Sequence, residues 1–245
     1  MKSCYIYNGT ELDFSRKSQL AEKLSKICDE LYPNTPIINN EVVNKNKITG
    51  QAFNSRNKII SALLRNELEH NLGLLANGQD VSIMRSTLVR TGILCDVENE
   101  PVAIRQNVSD ESLRNMLSVI ENFINESAVS AKNQSFKALY DDLQGAEKGI
   151  GLRKGLIPIF VAAVFHNYKK QIVIKRNNLQ QTLSLDTILQ IDENPEDFTL
   201  SAIDWDSDKE NYVKALEKVF SDFVVDAEKN INTYEYVAKA MVRWY

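Results

Sequence analysis

Cysteine and histidine are nearly missing from this sequence, with three of the first and two of the second. Cys4, Cys28 and Cys95 are odd in number, far apart and without a C-x-x-C pair, so neither a disulfide framework nor a thiolate zinc site has a basis here. Cys28 falls on the apolar side of a helical pattern and Cys95 follows an Ile-Leu pair, and buried free thiols are expected at both. His70 and His166 have no cysteine near them, and a solvated or capping role is expected for His166 near the end of an apolar helix. No metal is therefore expected. Long apolar runs are missing too. The longest, from Leu156 to Phe165, has ten residues and contains Pro158, against the ~18 to 20 needed to cross a bilayer. The first residues, Met-Lys-Ser-Cys-Tyr-Ile-Tyr-Asn-Gly, lack the apolar core of a signal peptide. The expectation is a cytoplasmic protein with no membrane partner.

Catalytic motifs are absent in the same way. The glycine-rich run from Gly145 to Gly155 has no Lys followed by Ser or Thr, so it lacks the phosphate and Mg²⁺ ligands of a P-loop, and it is not G-x-G-x-x-G. A turn that lets two helices approach closely is the simpler reading. No lysine has an acid two residues before it, as a restriction-type nuclease would want, and there is no G-x-S-x-G elbow. Asp204, Asp206 and Asp208 have calcium-like spacing without the glycine and bidentate glutamate, so they read as an acidic turn capping the next helix. No enzyme and no cofactor are expected.

What remains is an ordinary globular composition: 245 residues, 43% hydrophobic and 25% charged. Periodicity predicts a strand at 3–7 before an Asn8-Gly9 turn and a helix from Ser15 to Leu31 that Pro33 ends. Further helices are predicted from Ser55 to His70, at about 80–92, from Ser109 onward and at about 133–144. Pro158 opens a helix through Tyr168 that is apolar on nearly every side and so buried. Strand-like segments follow at 171–175 and 197–203, with a short helix from Leu185 to Gln190 between them. Helices from Lys209 to Val225 and Asn232 to Tyr245 complete the pattern. The fold expected is α+β, mainly helical, with a winged-helix-like unit. The expected division is a helical domain at 1–130, that unit at 131–206, and C-terminal helices at 207–245.

The net charge of −4 is unevenly spread. Lys148 to Leu185 holds seven bases and no acid, whereas Asp186 to Glu210 holds nine acids and one base. Arg153 and Lys154 precede the buried helix, Lys169 and Lys170 follow it, and Lys175 and Arg176 sit on the hairpin. In a winged helix such positions meet phosphates, so these six are the candidate nucleic-acid-binding residues. The competing expectation is a protein–protein scaffold in which the basic stretch meets another subunit or the acidic stretch of its own chain. A second acid-free stretch, Val42 to Asn66, carries Lys45, Lys47, Arg56, Lys58 and Arg65 and is a possible extension of the same surface.

Several segments carry a family resemblance. They are Leu24-Ser25-Lys26-Ile27-Cys28-Asp29-Glu30-Leu31-Tyr32-Pro33-Asn34-Thr35-Pro36, then Ile38-Asn39-Asn40-Glu41 and Val43-Asn44, then Gly151-Leu152-Arg153-Lys154-Gly155-Leu156-Ile157-Pro158 with the apolar helix and hairpin after it, and Asn194-Pro195-Glu196-Asp197-Phe198. Together they resemble the region downstream of the nucleotide-binding domain in large P-loop ATPases of bacterial BREX and phage-growth-limitation defence systems. The resemblance implies a fragment of a larger defence protein, engaging DNA or other defence-system subunits. ATPase activity does not carry over, because no nucleotide-binding domain is present.

Overall fold

The computed structural model describes residues 4–75, 77–230 and 233–245. The chain divides into two compact units, Met1–Pro33 and Asn34–Tyr245. The boundary expected near residue 130 has no counterpart in that division.

The smaller unit is a hairpin and a helix. Strands β1 (Tyr5–Tyr7) and β2 (Thr10–Leu12) pair antiparallel. Asn8 and Gly9 turn between them with φ of 50° and 76°, the left-handed pair that a two-residue hairpin requires. Helix α1 (Lys17–Leu31) follows. The hairpin lies along one flank of α1, where the Tyr7 hydroxyl donates to Glu30 at 3.4 Å and the Lys23 ammonium stands 5.5 Å from the Tyr7 ring centre. No residue of α1 is fully buried, and Cys28 is exposed beside Leu24 and Leu31. This corrects the expectation of a buried thiol: the hairpin covers one flank only, and so small a unit cannot enclose both. Cys95 is half-buried.

The larger unit holds helices α2 (Gly50–Leu63), α3 (Gln79–Met84), α4 (Glu111–Ser130), α5 (Phe136–Gln144), α6 (Ile157–Tyr168), α7 (Leu185–Glu193), α8 (Ser207–Val219) and α9 (Glu235–Trp244). A small pair, β3 (Leu94–Cys95) with β4 (Ala103–Ile104), lies among them. Strands β5 (Gln134–Ser135), β6 (Ile172–Arg176), β7 (Leu179–Gln181) and β8 (Phe198–Ala202) form one sheet in the order β5-β8-β6-β7. The fold is mainly helical α+β. The two strand-like segments on either side of α7 do pair, antiparallel, from Ile172 opposite Ala202 to Arg176 opposite Phe198.

Helix α6 is the centre of the core. Every residue from Ile157 to Phe165 is buried. Pro158 sits in its first turn, where a missing N–H breaks no intrahelical bond. Phe165 packs edge-on against Phe136 of α5, which in turn meets Phe123 of α4. Four side chains on one strand face, Phe198, Leu200, Ile172 and Ile174, close the core from the sheet side. On the same sheet, the Ser127 hydroxyl of α4 accepts the backbone N–H of Ala202 at 3.1 Å.

Two helix boundaries depart from the periodicity. Helix α2 begins at Gly50 because the Thr49 hydroxyl accepts the N–H of Ala52, and it ends at Leu63 rather than at His70. Helix α4 is capped by Asp110, whose carboxylate accepts the N–H of Leu113, rather than by Ser109. The helix at about 80–92 is α3 followed by a π-helical turn, Arg85–Val89. The acidic turn behaves as expected, with Asp206 capping α8 at Lys209 N–H, 2.8 Å. Residue 232, the expected start of the last helix, lies outside the described residues. Among the described residues no helix is long and apolar enough to cross a membrane.

Candidate nucleic-acid interface

The six cations singled out in the sequence separate into two sets. Lys169, Lys170 and Arg176 are held within the protein. The Lys169 ammonium, nearly buried, donates to the carbonyls of Arg65 and Asn66 at 3.1 and 2.6 Å. It thus satisfies two carbonyls just past the C-terminal end of α2, where the helix dipole also favours a cation. His166 joins it. The Nδ1 lies 2.7 Å from the Leu63 carbonyl and Nε2 is 3.5 Å from the Lys169 ammonium. A carbonyl can only accept, so the proton is on Nδ1 and the Nε2 lone pair faces the ammonium. Burial and the Lys169 charge push the His166 imidazole down to about 4. Burial, with Lys170 nearby, pushes the Lys169 ammonium down to about 8, so at neutral pH it is still charged.

Lys170 and Arg176 meet the acidic stretch of their own chain. Lys170 pairs with Glu210 at 3.2 Å and stands 5.0 Å from the Tyr234 ring centre. Glu210 also accepts from Lys214, Trp205 and Tyr234, and these donors hold its carboxyl down at about 2. Arg176 donates to Asp197 at 3.0 Å and to Gln190 at 3.2 Å, with its guanidinium over the Phe198 ring. Lys175 has a neutral partner, the Asn133 amide oxygen at 3.5 Å.

Arg153 and Lys154 belong to a different surface. Their loop is pinned to residues 43–46: the Gly155 N–H donates to the Lys45 carbonyl at 2.9 Å and the Lys154 N–H to the Asn46 amide oxygen at 3.2 Å. A Cβ on Gly155 would lie 2.2 Å from the Val43 carbonyl oxygen, so only glycine permits the contact. The glycine-rich run thus lets two loops, rather than two helices, approach closely. Lys45 and Lys47 come to Arg153 and Lys154 by this route. Arg153, Lys45 and Lys47 are exposed and Lys154 is half-buried. Among the described residues, none of the four forms an ion pair.

Side-chain hydrogen bonds hold the loop that presents the two lysines. Asn40 is buried, its amide donates to the Ser86 hydroxyl at 2.8 Å, and its oxygen accepts the N–H groups of Val42 and Val43. The Asn44 amide donates to the Ile38 carbonyl at 3.2 Å. Beneath the loop pair lies a buried polar triad. Arg56 donates to Asp192 at 3.1 Å, and the Tyr140 hydroxyl reaches the other Asp192 oxygen at 3.4 Å. Burial pushes the Asp192 carboxyl up, against the pull of Arg56 and Lys154. Burial also raises the Tyr140 phenol well above its ordinary value.

Sequence reasoning chose Arg153 and Lys154 but left Lys45 and Lys47 as a possible extension. The signal that joins them is Gly155, read together with the acid-free run at 42–66. The Arg56–Asp192–Tyr140 triad left no sequence signal, because its members stand alone in three distant helices.

No family model matches the chain, and no curated protein or solved structure does. Among the described residues, no three His, Cys, Asp or Glu side chains converge on a point that could hold a metal ion.

Proposed function

We propose that this chain is a non-catalytic, cytoplasmic module that binds nucleic acid through phosphate contacts at Lys45, Lys47, Arg153 and Lys154. The observation that carries the reading is the pinning of two loops so that four cations come to one surface, none of them in an ion pair among the described residues. Such a surface attracts a polyanion and releases its counterions. The setting proposed is the one implied by the resemblance: part of an anti-phage defence ATPase, working with other subunits and hydrolysing no ATP itself.

The order α4, β5, α5, α6, β6, β7, α7, β8, with β8 seated between β5 and β6, supports reading the unit as winged-helix-like with α7 inserted before its last strand. In that comparison α6 occupies the place of the helix that reads a groove. Its burial from Ile157 to Phe165 leaves it no face for bases. The reading therefore assigns affinity to the loop pair and not to α6. The internal pairs of Lys170 with Glu210 and Arg176 with Asp197 favour the scaffold alternative for that part of the basic stretch.

The test is a comparison of two charge-removal variants by fluorescence anisotropy on a labelled oligonucleotide at low salt. Lys45→Ala, Lys47→Ala, Arg153→Ala and Lys154→Ala together should abolish binding. Lys170→Ala with Arg176→Ala should leave it nearly intact. The reverse pattern would overturn the loop-pair site and move the contact to Lys170 and Arg176, and no binding by the unaltered chain would favour the scaffold.

A further inference from the structure

The loop that presents Lys45 and Lys47 also encloses an open recess of about 420 Å³, lined by Ile38, Asn39, Asn40, Glu41, Asn44 and Lys45. Asn40 and Asn44 are committed to holding the loop, as described above. Asn39 and Glu41 are exposed, and among the described residues neither makes a hydrogen bond or ion pair. Asn44 spends its amide N–H on Ile38 and keeps its oxygen for another donor. Ile38 gives the recess an apolar wall.

This lining is unsuited to a phosphate, because Glu41 would repel one. It suits the edge of a nucleobase. A carboxylate accepts an exocyclic amino hydrogen, and an asparagine amide both donates and accepts. Lys45 lines the recess and also belongs to the cationic surface, so a base here would be attached to a backbone already lying on that surface. A base inside a duplex has its edge paired and its faces stacked, and only an unpaired one can enter. We propose that the recess takes one unpaired nucleobase of a strand whose phosphates lie on Lys45, Lys47, Arg153 and Lys154. The proposal rests on the function proposed above and names its ligand as single-stranded.

Two labelled strands of equal length and charge test it with the full chain, one carrying bases and one built of abasic sugars. The strand with bases should bind about tenfold more tightly, within the range for a good edge-on pair. Asn39→Ala with Glu41→Ala should bring the two affinities together. Losing the Glu41 charge strengthens phosphate binding to both strands alike, so the ratio is the readout. Both positions are exposed, and an unchanged circular dichroism spectrum shows that the variant folds. Equal binding of both strands by the unaltered chain overturns the base site and leaves the phosphate reading standing. A ratio that survives the double substitution also overturns this site, since the base is then recognised elsewhere. If neither strand binds at low salt, both readings fall.

Discussion

Arg56 and Asp192 meet inside the protein, 3.1 Å apart and 136 positions apart in sequence, with side chains 3% and 11% exposed. The pair ties α2 to α7, and Arg56 also faces the Gly155 carbonyl at 3.5 Å. It therefore sits directly under the loop contact that gathers the cations. Asp192→Ala should destabilise the fold by about 3–5 kcal/mol, the cost of leaving a buried charge unpaired. Replacing both partners, Arg56→Met with Asp192→Leu, should recover much of the loss. Urea titration of the three proteins gives the comparison, and a double variant worse than the single one would contradict it.

Phe160 tests the placement of α6. The ring is wholly buried, so Phe160→Ala should cost about 3–5 kcal/mol through lost contacts and a cavity. A shift below about 1 kcal/mol in denaturant would mean that α6 is not the core helix.

Gly155→Ala separates architecture from charge. Its Cβ would collide with the Val43 and Lys45 carbonyl oxygens, at 2.2 and 2.8 Å, and backbone cannot step aside cheaply. The two loops should part, weakening nucleic-acid binding severalfold although no cation is removed. Anisotropy at fixed salt measures it, and unchanged affinity would show that the loop contact does not organise the surface.

His166 makes a pH prediction. Its imidazole is held down to about 4 in the fold, against 6.5 as the ordinary value. Between those values the unfolded chain binds a proton that the folded one does not. Stability should therefore rise with pH through that window, and fall as pH drops from 6.5 toward 4. His166→Gln should flatten that part of the profile. Thermal melts of both proteins at pH 4.5 to 7 show whether it does.

Much of the fold was legible because its signals are local. The apolar run behind Pro158 marks α6, alternation marks β6 and β8, and Asp206 marks a helix start. The limits of α2 were not legible, because the carbonyls at and just past its C-terminal end meet His166 and Lys169, 103 to 104 positions away. The same gap divided the candidate site. Charge runs located the basic residues but could not show that Lys170 and Arg176 pair with acids while Arg153 and Lys154 form no ion pair among the described residues. That depends on which loop Gly155 touches, and no local pattern carries it.

The salt dependence of binding tests the central claim most directly. With four phosphate contacts, the slope of log affinity against log salt should be about −3 to −4 for the unaltered chain. Lys45→Ala with Lys47→Ala should bring it to about half that, and Lys170→Ala with Arg176→Ala should leave it unchanged. A slope that is insensitive to Lys45 and Lys47 but collapses on loss of Lys170 and Arg176 would contradict the account.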